Sequence, residues 1–174
     1  MPESPTSTLA IAPETPGDSA EAEALVERAF GPGRYAKAAE RLREGNAWLP
    51  GLSLAAREGG VLVGTVRMWP VAIGGRPALL LGPIAVDHAA RKRGLGVTLV
   101  ERACAAAADG GHGLVVLVGD LDFFQRSGFQ RPEPGSVRLP GPADPRRILV
   151  KALRDGALAG LAGEVALPSR AGDA

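Results

Sequence analysis

Apolar residues recur along this chain in two periods, and the switches between them outline a succession of strands and helices. Leu9-Ala10-Ile11, closed by Pro13, suits a first edge strand. Ala22, Leu25, Val26 and Ala29 then fall at helical spacing behind Asp18 or Ser19, either of which can cap the helix. Gly31-Pro32-Gly33 breaks that pattern, and a second helix is expected from about Tyr35 to Arg43, with Ala38, Ala39 and Leu42 turned inward. Residues 52–74 read as a hairpin about Gly59-Gly60. Gly74-Gly75 offers another turn, from which residues 78–86 return as a third antiparallel strand.

Residues 79–98, LLLGPIAVDHAARKRGLGVT, are the centre of this pattern. Leu79 to Val86 has the aliphatic composition of a buried strand, and Gly82-Pro83 inside it marks an edge or a bulge, because proline removes a ladder donor. A helix beginning near Gly94 carries Val97, Val100, Cys104 and Ala107 on one stripe and stops at Gly110-Gly111. Leu114 to Val118 is a continuous aliphatic strand, so strand, helix and strand make a right-handed parallel crossover. Asp120 or Asp122 heads a short helix through Phe123, Phe124 and Arg126 that Gly128 closes. Phe129 opens another strand segment. Ser136 to Leu139 and Ile148 to Leu153 are expected to pair antiparallel across an exposed, proline-rich loop, and residues 157–167 to pack back on the domain. Residues 9–168 read as one domain, with residues 1–8 a mobile polar tail and residues 169–174 a frayed one.

Composition narrows the chemistry. Twenty Lys and Arg against 19 Asp and Glu leave a formal charge of +1, so no global field points to nucleic acid or membrane. One cysteine excludes an intramolecular disulfide and a cysteine-based zinc site, and two separated histidines have no metal-ligand spacing. Met1 to Thr8 lacks the features of a signal peptide, and no apolar run reaches about 18 residues. A soluble cytoplasmic protein is expected.

Within residues 79–98, the strand, polar turn and glycine-punctuated helix start suit an anion. The first helical turn leaves N–H groups unpartnered, and the macrodipole adds partial positive charge. Gly94 and Gly96 lack a Cβ and allow close approach, while Arg91, Lys92 and Arg93 add full charge. A solvated basic helix start has the same composition, and the turn alone does not separate the two readings.

Leu81-Gly82-Pro83-Ile84-Ala85-Val86-Asp87, followed by Arg91-x-x-Gly94-x-Gly96 and then Gly128-Phe129, resembles the GCN5-related N-acetyltransferase (GNAT) superfamily, and within it a small bacterial branch of predicted acetyltransferases. The resemblance covers most of residues 9–168, and the R-x-x-G-x-G segment with its strand is its most specific part. It implies an α/β (α+β) fold, a mixed and mostly antiparallel sheet with a splayed central parallel strand pair flanked by helices. It implies acetyl-CoA as cosubstrate and no metal. The diphosphate would rest on amides from Lys92 to Val97 within a binding segment of Arg91, Lys92, Arg93, Gly94, Leu95, Gly96, Val97 and Thr98. Acyl and pantetheine contacts would run along Ile84, Ala85 and Val86. The reaction implied is attack of a neutral amine on the thioester. The partner implied is a small-molecule or peptide amine acceptor beside the two amino-terminal helices, with no nucleic acid and no membrane; a homodimer is left open.

The chain departs from the resembled pattern at one position. Where relatives commonly carry a tyrosine that protonates the leaving thiolate, this chain has Phe124, and its only tyrosine is Tyr35. Another acid or water, unaided departure and lost catalysis are the alternatives. An unperturbed thiol pKa of about 8.5 favours unaided departure, hence a working N-acyltransferase over a CoA-binding protein without transferase activity. No catalytic base stands out. Asp120 is the one candidate by fold analogy but better suits a helix cap, and Glu58 reads as solvated beside its turn. His88 suits a turn and His112 a surface loop. Cys104 reads as a small buried hydrophobe, and Met68, Trp48 and Trp69 as core residues or as lining of the acceptor pocket.

Overall fold

The computed structural model describes residues 8–31, 33 and 37–169. Its strands are β1 (Leu9–Pro13), β2 (Leu54–Glu58), β3 (Val61–Ile73), β4 (Arg76–Val86), β5 (Leu114–Val118), β6 (Val137–Arg138), β7 (Ile148–Ala152) and β8 (Gly163–Ala166). Its helices are α1 (Ser19–Phe30), α2 (Ala38–Arg41), α3 (Leu95–Asp109) and α4 (Leu121–Phe124). The strands form one sheet in the order β1-β2-β3-β4-β5-β7, with β8 paired to the end of β3 and β6 to β8. Every pair is antiparallel except β4/β5 and β6/β8. This is the mixed, mostly antiparallel sheet with a central parallel pair that the sequence led us to expect.

Local chemistry explains the register. The β2–β3 and β3–β4 turns each hold two glycines at positive φ, 58° and 80° at Gly59-Gly60 and 55° and 83° at Gly74-Gly75. A two-residue turn between right-twisted strands requires that conformation. Farther along, β3 advances two residues from Val66 to Met68 while β4 advances three from Leu81 to Ile84. The extra residue falls at Gly82-Pro83, whose peptide bond is cis. Trp69 Nε1–H donates to Gly82 O at 2.6 Å and holds this bulge.

The bulge reverses the facing of β4. Leu79 and Leu81 pack with α3 on one face of the sheet, and after the extra residue Ile84 and Val86 do so instead. Ala85 therefore faces the opposite layer, packed with Ala22, Leu25 and Val26 of α1. The buried face of α3 comprises Leu95, Leu99, Val100, Ala103, Cys104 and Ala107, each large aliphatic side chain contributing about 1.5–3 kcal/mol on burial. Met68 and Trp69 are core residues on opposite faces, and Trp48 is partly buried.

Several expectations are corrected. Ile148–Ala152 pairs with β5, not with Ser136 to Leu139, because alternate residues Leu149 and Val150 fit the cores on both faces at the sheet's far edge. Val137–Arg138 pairs parallel with β8, which forms within the segment expected only to pack back. After Phe129 there is a single bridge, Gln130 to Val150, and no strand. Val97 is half-buried, the buried stripe of α3 running through Leu95, Leu99 and Ala103. The second helix is one turn, Ala38–Arg41, and Tyr35 lies outside the described residues. Asp18 occupies the cap position of α1 without a side-chain cap bond. Its carboxylate accepts from Thr15 N (2.8 Å) and Arg57 Nη2 (2.7 Å), and Arg57, then Thr15, hold it below the usual carboxylate range.

Candidate active site

The site begins where the parallel pair comes apart. β4 and β5 are joined only at Leu79–Val115 and Leu80–Val116. Beyond them, Leu81 to Ile84 and Leu117 to Val118 become opposite walls of a cleft of about 510 Å³. Phe124 lines it below the end of β5. Phe30, Lys37, Ala38 and Arg43 enter from the α1–α2 side, and Leu139, Ala143, Asp144 and Arg147 from the loop before β7.

The hydrogen-bond parity of β4 decides which amides face this gap. Asp87 N–H donates to Val63 O (2.8 Å), so Gly64 and Val86 form a non-hydrogen-bonded pair across β3 and β4. Ile84 and Val86 consequently turn their backbone groups to the unpaired edge. Ala85 turns its own to β3 and buries its side chain beneath α1, which removes it from the gap. Arg91 Nε occupies the Val86 carbonyl at 3.0 Å and ties the turn to the strand end.

The turn itself is a 3-10 segment, His88–Arg93, capped by Asp87, whose carboxylate accepts from Ala89 N. Gly94 then adopts φ 73° and opens α3, and Thr98 is the first residue whose N–H finds an intrahelical acceptor, Gly94 O at 3.1 Å. The amides of Leu95, Gly96 and Val97 have no intrahelical acceptor, as at any helix start. These amides, with the exposed Lys92 and Arg91 beside them, fit a diphosphate. Leu95 itself turns its side chain into the core, and Thr98 Oγ1 donates back to Gly94 O.

Two expectations about this turn change. Arg93 is not aimed at the amides; it grips Glu58 with both Nη atoms, one at 2.7 Å, and that bond holds the Glu58 carboxyl below the usual range. Glu58 is thus the anchor of the turn to the β2–β3 hairpin. Gly96 makes room for a side chain of this protein, since a Cβ there would stand 3.2 Å from Phe123 Cζ. Gly94 is the position required by its positive φ, with open space around it.

Asp120 sits at the α4 cap position without making the cap bond. It reaches instead to Arg147 Nη1 (2.7 Å) and is 74% exposed. Phe124 is buried, in edge contact with Phe123 (4.8 Å) and Phe129 (5.8 Å). His88 is exposed and His112 half-buried. Among the described residues, no group of three or more His, Cys, Asp or Glu is arranged to hold a metal ion, and no helix is long and apolar enough to cross a membrane. Arg43, Arg147 and Phe123 carry no local signal. They reach the site through the turn that follows α2, the Gly119 N–Arg147 O bond (2.8 Å) and the packing of α4 on α3.

A splayed parallel pair with unpaired β4 amides leading into a basic helix start is the arrangement of an acyl-CoA-dependent N-acetyltransferase. Residues 22–129 match the family model described as the acetyltransferase (GNAT) family, and the chain belongs to that family. It is 31% identical over 159 residues to the uncharacterized N-acetyltransferase YhbS of Escherichia coli K12, which covers 90% of this chain and 95% of that protein. The crystal structure of Escherichia coli YhbS in complex with CoA superposes with a TM-score of 0.79 at 30% identity, covering 94% of this chain and 91% of that one. A GNAT acetyltransferase from Brucella melitensis in complex with acetyl-CoA gives 0.67 at 28% identity, covering 93% and 97%.

Proposed function

We propose that this enzyme transfers an acetyl group from acetyl-CoA to the amine of a small-molecule or peptide acceptor by direct attack. The observation that carries the reading is the unpaired β4 edge at Ile84 and Val86, which opens on the cleft and continues into the amides that start α3. When bound, acetyl-CoA supplies the activated carbonyl. Leu95, Gly96 and Val97 amides with Lys92 would hold its diphosphate, and the backbone of Ile84 and Val86 would orient and polarise the carbonyl. A C–N bond forms as the C–S bond breaks, and the amine proton passes to water.

Phe124 offers no proton to the departing sulfur, so the thiol leaves as thiolate, which its modest pKa allows. Asp120 is read as the partner that keeps Arg147 at the cleft mouth, and not as the base. Calorimetric titration with acetyl-CoA and CoA, with NAD as comparator, tests the cosubstrate. Saturable binding of both CoA species and none of NAD is expected, followed by acceptor-dependent thiol release that Gly96→Trp abolishes. Binding without turnover on any amine would favour the second reading, a CoA-binding protein, which Phe124 motivates.

A further inference from the structure

Resting on the acyltransferase reading, we infer that Phe123 is a contact for the cosubstrate, its ring forming the wall along which the pantetheine arm of CoA crosses from the β4 edge to the start of α3. Phe123 and Phe124 are consecutive on α4, yet Phe124 is buried and Phe123 is 38% exposed. The place of the uncovered ring is closely set. Phe124 is fixed at the end of β5, where a Cβ on Gly119 would stand 2.4 Å from its Cε2. Phe123 meets it edge to face, with ring centroids 4.8 Å apart and planes at 81°. The tip of the Phe123 ring then reaches the helix start: Cζ and Cε2 are 3.2 and 3.8 Å from where a Cβ on Gly96 would stand, and Val86 Cγ2 is 3.8 Å from the same point.

One exposed ring thus adjoins both places that acetyl-CoA has to connect, the strand end at Val86 and the amides of Leu95, Gly96 and Val97. Leu121 and Phe124 already supply the apolar packing of α4 with the core that α3 shares, so the open side of Phe123 is left for a ligand. The chemistry of the arm suits that surface. Between its amides and the diphosphate it carries a quaternary carbon with two methyl groups, which gain from contact with an aromatic ring. The diphosphate gains as well, because a ring that excludes water beside the helix start lowers the local dielectric and strengthens the attraction of the amides. Covering the exposed part of the ring corresponds to about a fivefold gain in affinity.

The test is calorimetric titration of the wild type, Phe123→Ala and Phe123→Leu with CoA, beside urea unfolding of each protein. CoA should bind Phe123→Ala about fivefold more weakly and Phe123→Leu about twofold more weakly, with the Phe123→Leu protein close to the wild type in urea midpoint. A direct readout uses the chain labelled with 3-fluorophenylalanine at its four phenylalanines. The fluorine resonance lost in Phe123→Leu should move when CoA is added, while that of the buried Phe129, assigned in the same way, stays in place. A Phe123 that only packs α4 on α3 would leave its resonance unmoved. An unmoved resonance at saturating CoA overturns the inference, as does a folded Phe123→Ala protein within twofold of the wild type in affinity. Should Phe123→Ala not fold, Phe123→Leu and the fluorine shift decide. Failure of the wild type to bind CoA removes the acyltransferase reading itself, whereas binding that leaves Phe123 unaffected removes the inference alone.

Discussion

Arg67→Met should be among the most damaging single substitutions in this fold, although Arg67 lies on β3 and outside the walls of the cleft. Its side chain is 6% exposed, and Nη2 donates to Glu14 Oε1 at 2.7 Å, with Nε 3.1 and 3.2 Å from the two carboxylate oxygens. The Glu14 side chain is fully covered, whereas Glu23, the second partner of Arg67, is 47% exposed. Removing the guanidinium leaves the Glu14 carboxylate buried without its counter-ion, which costs about 3–5 kcal/mol. That is a fifth or more of the roughly 5–15 kcal/mol that holds a typical domain together. Replacing both partners, Glu14→Met with Arg67→Met, removes the stranded charge and should recover most of the loss, because a buried ion pair contributes little net against apolar packing. Urea unfolding followed by far-UV circular dichroism measures all three proteins. Tryptophan fluorescence is a local second probe, since the Arg67 guanidinium lies 5.3 Å from the Trp48 ring. A single variant within 1 kcal/mol of the wild type, or a double variant no better than the single, would refute the reasoning.

Gly163→Ala should cost about 3 kcal/mol or more, because Gly163 has φ 133° and its Cβ would fall 2.4 Å from Gly74 Cα; Gly160→Ala, at φ 65° in nearly open space, should cost about 1 kcal/mol. Equal urea midpoints for the two would count against it. Burial pushes the Cys104 thiol up to about 11. Because the folded value is raised, its contribution, about 3 kcal/mol, is complete below pH 9 and lost as pH rises towards 11. The native thiol should therefore resist a disulfide reagent at pH 8 and react at once in urea; fast native labelling would contradict this. Phe124→Tyr should raise turnover several-fold at neutral pH, with the gain fading near pH 10 as the phenol ionises, if thiolate departure limits the rate. An unchanged pH profile would show that it does not.

The parts of the fold legible in the sequence are those whose signal is local. β4, α3 and β5 announce themselves as aliphatic runs and a helical stripe, and paired glycines mark both hairpin turns. The partner of Ser136 to Leu139 was not legible, because strand pairing is a choice among distant segments: β8 docks on the end of β3 and there also pairs with Val137–Arg138. The same limit applies to the site. The strand through Ile84 and Val86 was legible because its aliphatic run is local, whereas Arg43 and Arg147 line one cleft from far-separated segments with no common motif. Gly96 shows a subtler gap. Its small size was legible, but its reason, the Phe123 ring, belongs to another helix. Arg93 likewise reads as a cation for a ligand until Glu58 is seen beside it.

The extra residue at Gly82-Pro83 acts as a phase setting for the strand that follows it. Leu81 and Ile84 share a face only because two residues stand between them in the place of one, so drawing Gly82 and Pro83 both into the regular ladder would exchange the roles of the next three positions at once. Ile84 and Val86 would turn towards α1 and their amides towards β3, and Ala85 would be left to present its backbone to the cleft. Elsewhere in the sheet such a slip disturbs packing; here it would also change which backbone groups face the cleft. The bulged course of this short segment therefore shapes the cleft as much as the identity of any side chain in it.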